Sequence, residues 1–503
     1  MAIAAVLKTT TGHKAAVRLM VMLALLVMGM GFALRLYKLS SQSLWTDEVY
    51  SIEAARTPLN RIMAASATPN NTLPTYFLML REVIGTTNQD IEVRARLISV
   101  VAGTLTIPLL MGVVYLWRRR EDVAVAAGVL LAVNPLHIWY SQETRAYGPM
   151  VLVGLLSVLF FELARERKGA GWWVGYFICS TVAISMHKAA IVFPASCFLW
   201  HGWDLLKAGG ARSRMAILAI HVLILALGVT VLSPKASISP EGRRRFTGME
   251  LPYTLMTYAG GYSFGPSLTE IQSHGPLRAL SSNRVEVASL GAVLLLLALG
   301  YAQDVKGLMS SKAALLLLVI VGMVTGYSLL KDYPYNVRYT LPALIGFVAL
   351  AAELAARARG SYLVRVALAG AVIVSLVADY QWYSKPIYRK EDSRAVAHWL
   401  IDHANHVTSW TVLPRFTAEP ILWYLNDFGH PEMAARMVRA KAGRTTSFPP
   451  VPDVFIIGRR DHIAQPDALA AAYKAAAGDS RDLVMITGFE IFERKSAQYP
   501  APQ

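Results

Sequence analysis

Long apolar runs separated by short polar breaks fill the first 380 positions of this chain. Stretches of roughly 17–25 residues, the length of helix that spans a ~30 Å hydrocarbon core, lie near 17–36, 94–117, 122–140, 147–164, 172–187, 189–206, 215–233, 286–303, 313–331, 339–357 and 362–380. The pattern predicts eleven spans. Residues 172–206 are one apolar stretch broken only by His187-Lys188, and as a single helix would run about 52 Å at 1.5 Å per residue. That is too long for one crossing, and both flanks are basic, with Arg165, Arg167 and Lys168 before and Arg212 and Arg214 after. A hairpin turning near His187 follows.

Two inter-span stretches are long, 37–93 and 234–285, and each holds an amphipathic piece, 76–83 and 251–258, that predicts an interfacial helix. After about Tyr383 the pattern becomes that of a soluble unit. Residues 393–403 and 467–477 have helical apolar spacing, whereas Val454-Phe455-Ile456-Ile457 and the stretch 483–493 read as strands. The fold class expected is an α-helical polytopic membrane protein over residues 1–383, with a small extracytoplasmic α/β domain over 384–503.

Composition agrees: of 503 residues, 54% are hydrophobic and 16% charged, against roughly 25% charged in soluble domains. A soluble cytosolic enzyme is excluded. The net charge, 49 − 33 = +16, suggests nucleic acid at first sight. Its basic residues cluster in alternate short loops, as in Arg118-Arg119-Arg120 and around Lys306 and Lys312, so the positive-inside bias accounts for them and no nucleic-acid partner is expected. That bias puts the N-terminus in the cytoplasm, and eleven spans put the C-terminus outside. Cys179 and Cys197 both lie in apolar runs, so no disulfide framework or cysteine metal site is expected.

Candidate chemistry collects on the predicted outer face. Trp45-Thr46-Asp47-Glu48 follows the first span, and its adjacent carboxylates can supply a general base beside a residue that binds a metal or a substrate hydroxyl. The plainer alternative is a helix N-terminus, where acids favour the dipole. Tyr140-Ser141-Gln142-Glu143-Thr144-Arg145-Ala146-Tyr147 follows the third span and reads as site residues or as an ion pair in an aromatic belt. His187, Lys188, Lys235, Arg243-Arg244-Arg245 and Asn336-Val337-Arg338-Tyr339 fall on the same face. Singly, such cations snorkel to headgroups; together they suit an anionic lipid phosphate beside a base. No GxxxxGK, HExxH or CxxC motif is present, which disfavours a nucleotide-driven pump.

Taken in order, Trp45-Thr46-Asp47-Glu48, Arg96-Leu97-Ile98-Ser99 and the Tyr140–Tyr147 motif resemble bacterial relatives of the protein O-mannosyltransferases and the lipid A aminoarabinose transferase, which are polytopic GT-C glycosyltransferases. Tyr262-Ser263-Phe264-Gly265-Pro266-Ser267-Leu268 and Asn336-Val337-Arg338-Tyr339 extend the resemblance, which covers about residues 20–390. It implies transfer of a sugar from a polyprenyl-phosphate carrier to a hydroxyl of a glycan, lipid or protein acceptor, outside the membrane and with inversion. By this analogy Asp47 is the base, and Glu48 and Glu143 order the site. Arg145, Lys188, Arg338 and His187 hold the donor phosphate, and Tyr147 and Tyr339 contact substrate. A divalent metal, with Asp47 and Glu48 as candidate ligands, is an open cofactor. Many relatives carry His-Pro-Pro-Leu-Tyr-Tyr in the first loop where this chain reads Thr72-Leu73-Pro74-Thr75-Tyr76-Phe77, which weakens the metal assignment. A lipid or sugar transporter, a flippase or a non-catalytic envelope scaffold are the rival classes, though neither internal symmetry nor repeated mid-span carboxylates are visible.

Overall fold

The computed structural model describes residues 11–64, 73–167, 169–208, 246–267, 275–302, 304–331, 334–357, 360–438, 451–458, 466–477 and 480–494, with isolated positions in 219–226 and 270–271. Arg18–Leu36, Ile91–Arg118, Tyr147–Glu166, Arg284–Ala302, Lys312–Leu330, Val337–Ala356 and Tyr362–Ser384 are long and apolar enough to cross a membrane. The chain is an integral membrane protein. Two apolar helices of 17 residues, Ala170–Met186 and Val192–Ala208, match two more expected spans, while 215–233 lies largely outside the described residues.

The break at His187 is present: its backbone is extended (φ −156°, ψ 133°) and a 3-10 turn, Lys188–Ile191, follows. The helices it joins pack mainly on other partners. Ala170–Met186 lies along Tyr147–Glu166, and Val192–Ala208 packs on that helix and on Lys312–Lys331.

The span expected at 122–140 is not one straight helix. Glu121–Ala132 and Pro135–Ser141 meet at 60°, because Pro135 lacks an N–H and clashes with the preceding turn. Asn134 restarts the helix by accepting the His137 N–H at 2.9 Å, and the buried Arg35 guanidinium donates to the carbonyls of Leu131 and Ala132 that the break leaves free. Gly261 (φ +64°) seats against the same break, where a Cβ would lie 2.8 Å from Pro135.

The C-terminal unit carries a four-stranded sheet in the order β1-β2-β4-β3, formed by β1 (Trp410–Leu413), β2 (Val454–Gly458), β3 (Ser480–Ile486) and β4 (Phe489–Arg494). β1 and β2 are parallel; β4 pairs antiparallel with both β2 and β3. The stretch 483–493 therefore folds back on itself at Thr487-Gly488, with Gly488 at φ +79°, rather than running as a single strand. Helices Ser393–Asp402 and Pro466–Ala477 form close to where apolar spacing puts them.

One apolar core joins this unit to the first long loop. Leu44, Val49 and Ile52, from the loop and its Thr46–Arg56 helix, share it with Tyr76, Phe77, Leu80 and Ile84 of Pro74–Ile84. Val396, Leu400, Trp410, Ile421 and Ile491 complete it from the C-terminal unit. The apolar face of Pro74–Ile84 is thus covered by protein. At about 1.5–3 kcal/mol for each fully buried large apolar side chain, this shared core ties the loop firmly to the unit.

Candidate active site

The Thr46–Arg56 helix begins at Trp45 without a side-chain cap, and its first turn carries Asp47 and Glu48 at the positive end of the helix dipole. The two neighbours point into different environments. Glu48 is fully buried. Arg96 donates to both its oxygens, at 2.9 and 2.8 Å, the Thr144 N–H adds a bond of 2.9 Å, and the Lys390 ammonium stands 3.7 Å away. Burial alone would raise its pKa, but Arg96 first and Lys390 second overcome that and hold it at about 2. Arg96 is itself fixed by the carbonyls of Leu39, Gln42 and Ser43.

Asp47 is 30% exposed. Its Oδ2 accepts from Arg338 Nη1 at 3.0 Å, joining residues 291 positions apart, and lies 4.0 Å from Arg145 Nε. Arg145 also donates to the Asp47 carbonyl and to Ser51 Oγ. Oδ1 of Asp47 makes no hydrogen bond among the described residues. A carboxylate with one oxygen held and the other free can take a proton.

Glu143 sits just beyond the broken helix, with Ser99 Oγ donating to its carbonyl. Its Oε1 accepts from Trp139 Nε1 at 3.0 Å and faces Lys390 Nζ at 3.1 Å; its Oε2 is buried without a partner. Burial raises its pKa, Lys390 opposes this, and Glu48 and Asp47 add to the rise.

Asp47, Glu143, Arg338 and Lys390 line one cavity of about 510 Å³. Trp45, Trp139, Tyr140, Tyr262 and Tyr388 give it aromatic walls, and Phe416, Pro420 and Phe489 of the C-terminal unit close one side. Tyr140 and Tyr262 hydroxyls meet at 2.9 Å.

The remaining predicted residues stand behind that lining. Tyr147 is buried, its ring 5.2 Å from that of Tyr140 and 5.1 Å from that of His187. Tyr339 lies under the Arg338 guanidinium at 5.3 Å. His187 is buried; its Nδ1 accepts from the Ala189 N–H, and its Nε2 has no partner. Burial first, then Arg145, Arg338 and Lys188, push its pKa down to about 3, so it is neutral and offers no charge to a phosphate. Lys188 is half-buried and makes no ion pair among the described residues; burial lowers its pKa. Lys235 and Arg243-Arg244-Arg245 lie outside the described residues.

The donor set does not suit a divalent metal at Asp47 and Glu48. Both Glu48 oxygens are taken by Arg96, Asp47 faces two guanidinium groups, and among the described residues no three His, Cys, Asp or Glu side chains converge.

Sequence reading missed Lys390 and the role of Arg96. Lys390 looks like one of a basic pair, Arg389-Lys390, flanking the last span, a pattern that ordinarily marks headgroup contact. Nothing in the sequence ties it to Glu143.

No family model and no curated protein matches the chain. Among solved structures, the oligosaccharyltransferase of Archaeoglobus fulgidus in complex with zinc and sulfate aligns at 11% identity and TM-score 0.49, over 89% of this chain and 69% of its own. ArnT from Cupriavidus metallidurans in the apo state aligns at 13% identity and TM-score 0.45, over 96% and 99%. ArnT bound to undecaprenyl phosphate gives the same identity and score over 97% and 99%.

Proposed function

We propose that this chain is a GT-C-type membrane glycosyltransferase that moves a sugar from a polyprenyl-phosphate carrier to a hydroxyl acceptor on the extracytoplasmic face. In this reading the N-terminus is cytoplasmic and residues 384–503 form an extracytoplasmic α/β domain over the spans of residues 1–383. The observation that carries it is the Asp47 carboxylate, one oxygen paired with Arg338 and the other free, in an aromatic-walled cavity at one end of an apolar bundle.

Asp47 Oδ1 accepts the proton of the acceptor hydroxyl. The hydroxyl oxygen then attacks the anomeric carbon from the face opposite the phosphate. A new glycosidic C–O bond forms, the C–O bond to phosphate breaks with its electron pair, and polyprenyl phosphate leaves as an anion. Arg338, whose Nε has no partner, turns its fork toward the phosphate and stabilises the charge that grows there. Arg145 fixes Asp47 through its backbone carbonyl and Ser51, while Glu48 and Arg96 act as positioning residues that lock the helix start. Glu143 receives a sugar hydroxyl at its unpartnered oxygen.

The placement of buried charge supports an enzyme over a transporter or flippase. Arg35, Glu162, Glu353 and Asp379 lie in the last two turns of their helices and Arg96 in the first two, whereas transport sites draw ionisable groups to mid-span.

The test is release of polyprenyl phosphate from a panel of polyprenyl-phosphate sugars, with membranes carrying wild type or Asp47→Asn. We expect release by wild type and a loss of about 10²–10⁴-fold in the variant, the range of general-base catalysis. Equal release by both would remove Asp47 as the base.

A further inference from the structure

The segment after the last span, residues 386–393, is a strap that forms one wall of the cavity. It is pinned on three sides. Gln42 Oε1 accepts the Lys390 N–H and Ser43 Oγ donates to the Glu391 carbonyl. Tyr388 Oη donates to the Gly265 carbonyl at 2.9 Å. Gly488, in the hairpin between β3 and β4, presses so closely on Glu391 that a Cβ there would come within 2.7 Å of it. The C-terminal unit therefore sets where Lys390 stands.

Three carboxylates share this end of the bundle, and their cations are distinct. Arg96 serves Glu48 through two bonds, and Arg145 and Arg338 serve Asp47. Among the described residues, Lys390 is the one cation on Glu143. Its ammonium lies 5.5 Å from the Trp45 ring and 5.6 Å from that of Trp139, a position in which cation–π attraction compensates for lost water.

We propose that Lys390 is a positioning residue: held between two indoles by the strap, its ammonium keeps Glu143 ionised, with one oxygen free to accept a hydrogen bond from a ligand in the cavity. The bundle's carboxylate thus depends on a charge delivered by the C-terminal unit. The consequence for sugar transfer rests on the glycosyltransferase reading; the electrostatics does not.

The other groups facing Glu143 do not substitute for this ammonium. Glu48 and Asp47 oppose its ionisation, as does burial. The phenols of Tyr76, Tyr140 and Tyr262 reach it electrostatically from three further elements, but as weak acids they carry no positive charge. Trp139 gives a neutral hydrogen bond.

The experiment is an infrared difference titration of the full chain in nanodiscs, with the Glu143 carboxyl band assigned by its loss in Glu143→Gln. Lys390→Met should raise the midpoint of that band by about 1–3 pH units, the effect of one close opposite charge, while Lys390→Arg stays near wild type. An unmoved midpoint in Lys390→Met overturns the proposal, as does an equal rise in Lys390→Arg. If Lys390→Met does not fold, the double variant Lys390→Met/Glu143→Gln removes the acid with its partner, a change that can be nearly neutral. Recovery of folded protein then supports the proposal, and continued failure to fold overturns it. Because no donor or acceptor is used, this outcome is separable from the transfer assay.

Discussion

Both ends of the helical bundle bury carboxylates against cations and indoles, but they arrange them in opposite senses. At the end away from Asp47, Glu162 is 3% exposed while its partners Lys312 and Arg165 are about a quarter exposed. Trp117 Nε1 takes the Glu162 oxygen that they leave, and Lys312 lies 4.2 Å over the Trp200 ring. Glu353 is buried under Arg118, which is one-third exposed. Acids are inside and cations reach outward, which is how a membrane protein anchors its helix ends. At the Asp47 end the cations are hidden: Arg145 and Lys390 are each 7% exposed, and Asp47 is the group that opens to the cavity. Ion pairs of similar composition make an anchor where the acid is sealed and a reactive site where the cation is.

Three substitutions would break or sharpen this contrast. The largest effect is expected from Arg96→Met, which leaves Glu48 buried without its guanidinium. Removing one partner of a buried pair costs about 3–5 kcal/mol, read as a lowered unfolding midpoint in detergent. The pH dependence gives the sign. Glu48 is held at about 2 against an ordinary 4.5, so its ionised form stabilises the fold above pH 4.5. That contribution is lost as pH falls from there toward 2. In the variant the loss should begin at higher pH; an unchanged acid limb would mean that the pair contributes nothing.

Arg338→Ala comes next. Losing a charged hydrogen bond to the donor phosphate should weaken apparent donor affinity by about 1.5–3 kcal/mol, with little change in acceptor affinity. Equal weakening for both substrates would contradict its role at the phosphate.

Glu162→Gln should do least. Lys312 and Arg165 already reach toward headgroups, and half-exposed pairs contribute about 0–1 kcal/mol. A drop in stability as large as that of Arg96→Met would dissolve the distinction between the two ends.

The spans were legible because hydrocarbon thickness imposes a length on apolar runs, and the His187 break because 35 apolar residues overrun it. The bend at Asn134-Pro135 carried a local signal that hydropathy averages away. Asp47, Glu143 and Arg338 were legible as charges that a membrane surface makes costly. Their division of labour was not: Asp47 and Glu48 are adjacent in sequence, and only the turn of a helix sends one to a cavity and the other to Arg96. His187 read as a cation and is neutral, because burial among three cations is a tertiary property. Lys390 was illegible for a related reason. Its partners Glu48 and Glu143 lie hundreds of residues earlier, and no local pattern records such a contact.

The core shared by the first loop and the C-terminal unit also sets a timetable. The Leu44 N–H donates to Tyr424 Oη across 380 positions. At about 5–20 residues per second, the ribosome reaches that tyrosine about 20–80 s after the leucine. Throughout that interval Leu44, Val49 and Ile52 lack their cover and Glu143 lacks its ammonium. A nascent chain therefore carries its acidic motif through most of its synthesis without the wall that completes the cavity, and the site closes only when the last elements to be made arrive.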